Sequence, residues 1–282
     1  MNHLLPYIKK TLESHFPPAE LKSLTKIICC DLLEIGELDF YVRKDIHLSE
    51  NKQKELETIL HRLINHEPIQ YIVGYTPFCG HSFEVNQHVL IPRPETEELV
   101  ELIAKENPKA KLIFDMGTGS GCIAISLSKK LPDCEVRACD ISAEALKVAR
   151  RNNKRLGASV SFEKQNILKY KFPANLEEML NLDVIVSNPP YITESEKAGM
   201  DPNVLEWEPA TALFVPDDDP LLFYSCIAEL GFFLLSSEGK LYFEVNQAYG
   251  KEVCEMLNDM GYSRVRLIKD MFNNKRFVKA CI

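Results

Sequence analysis

The sequence has little that would place it in a membrane. No apolar run approaches the ~18 residues that a bilayer span needs; the strongest, Gly231-Phe-Phe-Leu-Leu235, falls far short. Met1 to Lys10 lack the apolar core and small-residue cleavage site of a secretory signal, so a cytoplasmic protein without membrane contact is expected. There is no Cys-x-x-Cys pair: of nine cysteines, Cys29 and Cys30 are adjacent and Cys134 and Cys139 are five apart. That spacing suits neither a zinc site nor a disulfide framework; reduced, mostly buried thiols and no metal are expected. No histidine lies beyond His88, since all seven (His3, His15, His47, His61, His66, His81, His88) sit in the first third. A Ser-His-Asp or Cys-His mechanism confined to the long remainder is thereby excluded. A basic excess is missing too. With 33 Lys and Arg against 41 Asp and Glu, the net charge is -8. Nonspecific coating of nucleic acid rests on neutralising many phosphates, so the charge argues against it, though a local basic patch stays compatible. The sequence shows no internal repeat and no low-complexity tract.

What is present is ordinary globular composition, 45% hydrophobic and 26% charged over 282 residues. That length predicts about two domains and is enough to bury a core without staples. Residues 1–73 read as a small helical bundle. Leu4, Leu5, Ile8 and Leu12 recur at helical spacing. Pro17-Pro18 breaks that helix, and a second is predicted from Ala19 to Leu33. Ser49 has the place of an N-cap for a helix from Lys52 to Asn65, with Leu56, Ile59, Leu60 and Leu63 on one face. Alone, this part says packing or partner-binding module. Residues 74–94, punctuated by Gly74, Pro77, Gly80, Pro92 and Pro94, predict a hairpin-like connector with β-prone runs at Phe83–Val85 and Val89–Ile91. Residues 95–282 open with a helix from Glu95 to Asn107 and then alternate. Strands are predicted at Leu112–Met116, Glu135–Asp140, Val160–Gln165, Asp183–Ser187 and Lys240–Val245, with helices between them and strands Arg264–Lys269 and Arg276–Cys281 at the end. The pattern predicts an α/β doubly wound, Rossmann-like sheet.

Asp115-Met-Gly117-Thr118-Gly119-Ser120-Gly121 sits where the first strand should turn into its helix. Glycines let the backbone turn sharply and approach a ligand closely, and the helix start supplies free N–H groups. Asp140 ends the next strand, about 20 residues on, where an acid accepts hydrogen bonds from a ribose diol. A purely structural glycine turn is the bland alternative; strand, glycine loop, helix, strand and terminal acid together point to a nucleoside cofactor. The spacing Gly117-x-Gly119-x-Gly121 departs from the dinucleotide pattern Gly-x-Gly-x-x-Gly. Asp115 beside the loop suits a cationic amino group better than a phosphate. Both details favour S-adenosylmethionine over NAD.

The strand ending at Ser187 runs into Asn188-Pro189-Pro190-Tyr191, which should face the glycine loop, because ligands bind beyond the carboxyl ends of such strands. A residue before proline is pushed into extended conformation, and prolines offer no N–H. The result is a stiff loop with free carbonyls, an Asn188 side-chain acceptor and the flat face of Tyr191. That set suits a planar –NH2 target, two acceptors holding its hydrogens while the ring stacks on its plane. A Pro-Pro turn after a core strand is the alternative reading of the segment taken alone.

These residues resemble a known group. Asp-x-Gly-x-Gly-x-Gly with Asn-Pro-Pro-Tyr is similar to the S-adenosylmethionine-dependent amino-methyltransferases of adenine, guanine or glutamine. Pro68-Ile-Gln-Tyr-Ile-Val-Gly74, Phe78-Cys-Gly80, Val89-Leu-Ile-Pro-Arg-Pro-Glu-Thr-Glu97 and Glu208-Pro-Ala-Thr-Ala-Leu213 narrow the resemblance to the bacterial peptide chain release factor glutamine N5-methyltransferases (PrmC/HemK). The likeness implies a class I methyltransferase fold with an N-terminal helical substrate-docking domain. It implies methylation of the glutamine of the release factor's Gly-Gly-Gln motif. Carried over by motif, Gly117, Thr118, Gly119, Ser120, Gly121 and Asp140 would hold the cofactor, while Asn188, Pro189, Pro190 and Tyr191 would hold the target amide, Asn188 also meeting the cofactor. Asn166-Ile167 stands where the family has an acid and often an aromatic beside the adenine, so Ile167 would pack on the ring face and Asn166 would bond its edge. Arg93 could roof the site or be a surface residue of a Pro-rich turn. The resemblance implies release factors as partners and no stable nucleic-acid partner, and a monomer is expected. Competing readings are a ribosomal protein glutamine methyltransferase, a DNA or RNA amino-methyltransferase, which would have to flip its base, and a nucleoside-binding module without chemistry.

Overall fold

In the computed structural model, which describes residues 4–42, 46–170 and 181–282, the chain forms two compact units, Met1–Tyr75 with Asp201–Trp207, and Thr76–Met200 with Glu208–Ile282. His3 and residues 43–45 of the expected helical bundle lie outside the described residues.

The first unit contains α1 (Leu4–Leu12), α2 (Pro18–Ile27), α3 (Glu37–Tyr41), α4 (Glu50–Ile64) and α5 (Ile69–Val73). Leu4, Ile8 and Leu12, spaced by four, are buried on α1. Pro18 opens α2, where its missing N–H costs nothing. The expected continuous helix to Leu33 instead widens into a π-helical turn at Ile28–Leu32, with Leu33 N bonded to Ile28 O at 2.9 Å. The wider turn lets Ile28, Cys29 and Leu33 all enter the core. Ser49 Oγ accepts from Lys52 N at 3.3 Å and caps α4. Nothing in the sequence announces that Asp201–Trp207 belongs here; Trp207 Nε1 donates to Asn65 O at 3.0 Å.

The second unit begins, at Thr76, within the hairpin of β1 (Tyr75–Phe78) and β2 (His81–Glu84). Val89–Ile91, expected as a strand, is irregular. Pro92 lacks an N–H, and the Ile91 N–H goes to the Glu208 carboxylate at 3.0 Å instead of a neighbouring strand. The chain continues through α6 (Pro94–Glu106), β3 (Leu112–Met116), α7 (Cys122–Lys130), β4 (Glu135–Asp140), α8 (Ala143–Leu156), β5 (Val160–Lys164), β6 (Leu182–Ser187) and β7 (Ile192–Thr193). After α9 (Pro202–Leu205), in the first unit, come α10 (Ala210–Leu213), β8 (Phe214–Val215), α11 (Leu222–Leu234), β9 (Leu235–Glu244), α12 (Gly250–Asp259), β10 (Ser263–Lys269) and β11 (Lys275–Cys281).

The seven-stranded sheet has the order β10-β11-β9-β6-β3-β4-β5. Strands β5, β4, β3, β6 and β9 are parallel, and β11 runs antiparallel between β9 and β10. Alternation on the strands divides the core in two. Ile113, Val184, Val186 and Tyr242 pack on one face with α6 and α7; Phe114, Ile185, Leu241 and Phe243 pack on the other with α11 and α12. The chain winds outward from β3 to β5 and then crosses back to β6. The reversal between β3 and β6 is the switch point where such sheets bind ligands, and the glycine loop and the Asn-Pro-Pro-Tyr loop leave those two strands. A short parallel pairing of β7 with β8 fastens the latter loop to the segment after α10.

Candidate active site

A cleft of about 330 Å³ lies at the switch point, within the size range of small-ligand pockets. Of the residues singled out in the sequence, Gly117, Thr118, Gly119, Ser120, Asp140, Ile167, Asn188, Pro189 and Pro190 line it together. Residues 88–93 and 209–214 supply its outer walls. Gly121 and Tyr191 do not line it.

The glycine loop is held before any ligand arrives. Gly117 N and Thr118 N both donate to Cys139 O at 2.9 Å, and Gly121 N donates to Thr118 O at 2.9 Å. Gly119 N donates to Asp140 Oδ2 at 2.8 Å, while Asp140 Oδ1 takes Ser142 N at 2.8 Å. Burial raises the Asp140 carboxyl above its usual value, and the N–H groups of Ser142, Gly119 and Ile141 oppose that. Each carboxylate oxygen has two lone pairs, so a diol could still bond the face that Asp140 turns to the cleft. Gly119 has φ +55, and among the described residues nothing lies within 4 Å of where a Cβ would stand. The open cradle and the terminal acid fit a nucleoside cofactor such as S-adenosylmethionine. Gly121 does something else. Its φ is +81, and a Cβ there would meet Ile125 Cδ1 at 2.9 Å and Ala149 Cβ at 3.2 Å; it lets α7 pack against α8.

Asn166 Oδ1 accepts from Leu168 N at 3.0 Å and starts a 3-10 turn over Ile167–Lys169. That engages the oxygen and leaves the amide NH2 as a donor at the cleft, which Asn166 lines. Beyond β6, Ser187 Oγ donates to Met116 O at 2.5 Å, pinning the two strand ends together. Tyr191 lines a second, more open cavity with Asn246 and Arg276, and its hydroxyl donates to Glu244 Oε1 at 3.3 Å.

Asn152 holds this arrangement without any sequence signal of its own, whereas Arg93, Thr96 and Glu208 belong to segments already singled out in the sequence. Asn152 of α8, fully buried, donates to Ser120 O and Glu84 O at 3.0 Å each and accepts from Glu84 N at 2.7 Å. The buried Glu208 carboxylate takes Arg93 Nη2 at 2.5 Å as well as Ile91 N, so Arg93 is an ion-paired wall of the cleft. Thr96 Oγ1 donates to Glu244 Oε2 at 2.6 Å.

Asp115 is fully buried, with Oδ2 taking the Thr118 hydroxyl at 2.6 Å. Burial pushes its carboxyl up from 3.8 to about 7; Thr118 and the Ala124 N–H oppose this, and the Asp140 charge adds to it. Between those two values the folded state keeps a proton that the unfolded state has lost. This group's contribution to stability is therefore full below about 3.8 and is lost as pH rises through about 7. Asp115→Asn mimics the neutral acid. Its melting temperature is expected to differ little from wild type near pH 4, to exceed it increasingly as pH rises to about 7, and to keep that margin up to pH 8. Thermal unfolding across that range checks this, and a gap that ignores pH would refute it.

Comparison with known proteins adds three findings. A "Methyltransferase small domain" family model matches residues 94–204, and a "PrmC N-terminal domain" model matches residues 3–74. A release factor glutamine methyltransferase of Bacteroides thetaiotaomicron is 55% identical over 99% of each chain. One of Flavobacterium psychrophilum is 44% identical over 96% of this chain and 95% of its own. Among solved structures, a methyltransferase from Pyrococcus furiosus shares the fold, with TM-score 0.50 and 20% identity over 71% of this chain and 87% of its own.

Proposed function

The chain belongs to the release factor glutamine methyltransferase family, and from that premise we propose that it methylates the side-chain amide nitrogen of the glutamine in the Gly-Gly-Gln motif of peptide chain release factors. The observation that carries the reading is the meeting of two loops across one cleft: the glycine loop with Asp140 on one side and Asn188-Pro189-Pro190 on the other. S-adenosylmethionine, when bound, supplies an electrophilic methyl group. Gly117 to Ser120 and Asp140 would hold it, with Ile167 against its adenine and the Asn166 amide at the adenine edge.

The protein's own part is orientation. A glutamine amide is a weak nucleophile, because its nitrogen lone pair is delocalised into the carbonyl. Asn188 Oδ1 and a loop carbonyl would each accept one amide hydrogen and so aim the lone pair into the cleft. Those bonds strengthen as the nitrogen becomes positive, which stabilises the transition state selectively. No general base is needed at that step, and the proton leaves afterwards. The Glu208 carboxylate bonded to Arg93 fixes the walls against each other.

The net charge of -8 favours a protein substrate over nucleic acid. Among the described residues no helix is long and apolar enough to cross a membrane, which is compatible with work in the cytoplasm. The second unit has two cores and the whole cleft to itself, so docking of the protein substrate falls to residues 1–73, with 74–94 as connector and 95–282 as the methyltransferase domain.

The test offers the protein and labelled S-adenosylmethionine to a release factor, ribosomal protein and DNA, with mass spectrometry to locate the methyl group. A methyl on the Gly-Gly-Gln glutamine is expected. Methylated ribosomal protein would move the target, methylated DNA would overturn the protein-substrate reading, and cofactor binding without transfer would leave only a binding module. In the same assay, the chain lacking residues 1–73 should bind cofactor normally and show a raised KM for the release factor; an unchanged KM would refute the docking role.

A further inference from the structure

Tyr191 is the best-anchored residue of its loop. Its N–H donates to Leu213 O at 3.2 Å, its carbonyl accepts from Asn246 Nδ2 at 3.1 Å, and its hydroxyl donates to Glu244 Oε1 at 3.3 Å. Glu244 is the last residue of β9 and is 1% exposed. Its second oxygen takes the Thr96 hydroxyl at 2.6 Å. Thr96 stands in the first turn of α6, which continues directly from the wall at residues 88–93. One buried carboxylate thus joins the base of the Asn188 loop to the root of the opposite wall.

Burying a carboxylate is costly unless it is well bonded, and an apolar side chain would fill the same space more cheaply. Among the described residues no hydrogen bond from a cation reaches it, and Arg276 on β11 and Glu95 on α6 influence it from a distance. What a carboxylate provides here and a leucine does not is two acceptors set at a fixed separation. We propose that Glu244 is a positioning residue for methyl transfer: through the hydroxyls of Tyr191 and Thr96 it sets where Asn188 stands relative to the cleft wall. Tyr191 is then the arm through which Glu244 acts. This rests on the methyl-transfer reading above.

A double-mutant cycle on the full chain tests it, with a release factor as substrate and with kcat, KM for the release factor and the dissociation constant for S-adenosylmethionine measured separately. Tyr191→Phe and Glu244→Ala are each expected to lower kcat about tenfold, leaving KM and cofactor affinity within about twofold. The double variant should be no slower than the slower single, because both break one link. Glu244→Gln keeps one acceptor, and the other hydroxyl can turn to accept from the amide NH2, so both links persist and most of the rate should be recovered. If Glu244→Ala fails to fold, Thr96→Val takes its place in the cycle, with an expected loss in kcat of about threefold. Losses that multiply to about a hundredfold in the double variant would overturn the proposal, as would a Gln variant no better than Ala. So would effects confined to KM. A wild-type chain that methylates nothing would overturn the function as well as the positioning role, whereas multiplied losses in an active enzyme overturn the positioning role alone.

Discussion

Asn188→Ala is expected to lower kcat for methyl transfer by about 10²–10³-fold, the scale seen when one preorganised polar contact to a transition state is removed. The dissociation constant for S-adenosylmethionine should change by less than about threefold. The split follows from where the side chain stands. Asn188 lines the cleft directly after β6, whereas the cradle proposed for the cofactor, the glycine loop with Asp140, follows β3 and β4. Loss of the amide oxygen therefore removes an acceptor for the target –NH2 and leaves the glycine loop with all its own bonds to Cys139 O and Asp140. Pro189 and Pro190 keep the backbone extended in the variant, so the loop should not collapse. Asn188→Asp retains an acceptor and should lose less than the alanine variant. Transfer at the wild-type rate in Asn188→Ala would show that another group holds the target.

The sheet was legible because its central strands are apolar on both faces and its turns carry their own chemistry. Leu112–Met116, Glu135–Asp140 and Asp183–Ser187 stand in the structure within a residue of the strands expected for them. Ser142 and Gly157 bracket α8 as a capping serine and a left-handed glycine do. Asp140 and Asn188 could be expected at one cleft because they sit at strand ends, a position that the alternation of elements reveals, and both line it. What was not legible depends on distant partners. The donor of Ile91 is claimed by a glutamate 117 residues later, so a β-prone triplet became a cleft wall. Tyr191 had the residue type of a stacking platform, but a carboxylate 53 residues away takes its hydroxyl. Asp201–Trp207 lies between two pieces of the catalytic unit in sequence and packs with the other unit. A single sequence records what each residue can do and leaves open which of several capable partners reaches it first.

The three glycines of the loop look alike in the sequence, yet Gly119 and Gly121 are expected to fail in opposite ways when changed to alanine. Both have positive φ, so either substitution costs about 1–2 kcal/mol of backbone strain. At Gly119 nothing among the described residues lies within 4 Å of the new methyl group, and strain is the whole cost to folding. That methyl group stands in the cleft, however, where the cofactor would approach the backbone. Gly119→Ala should therefore fold with a modest loss of stability and bind S-adenosylmethionine at least tenfold more weakly. At Gly121 the methyl group points away from the cleft into the contact of α7 with α8, 2.9 Å from Ile125 Cδ1 and 3.2 Å from Ala149 Cβ. Overpacking of that kind adds about 1–3 kcal/mol, for a total of about 2–5 kcal/mol. Ala149 Cα, 3.4 Å away, is backbone and cannot turn aside, so Ile125 must give. Gly121→Ala should lose much of its thermal stability, and the molecules that remain folded should bind cofactor with near wild-type affinity, because the Asp140 bond to Gly119 N does not involve residue 121. Calorimetric binding with thermal unfolding on both variants separates the two. Equal losses of affinity would mean that the loop moves as one piece and that no single glycine is reserved for the ligand. Opposite losses would show that one three-glycine motif serves two neighbours, a cofactor on one side and a helix on the other.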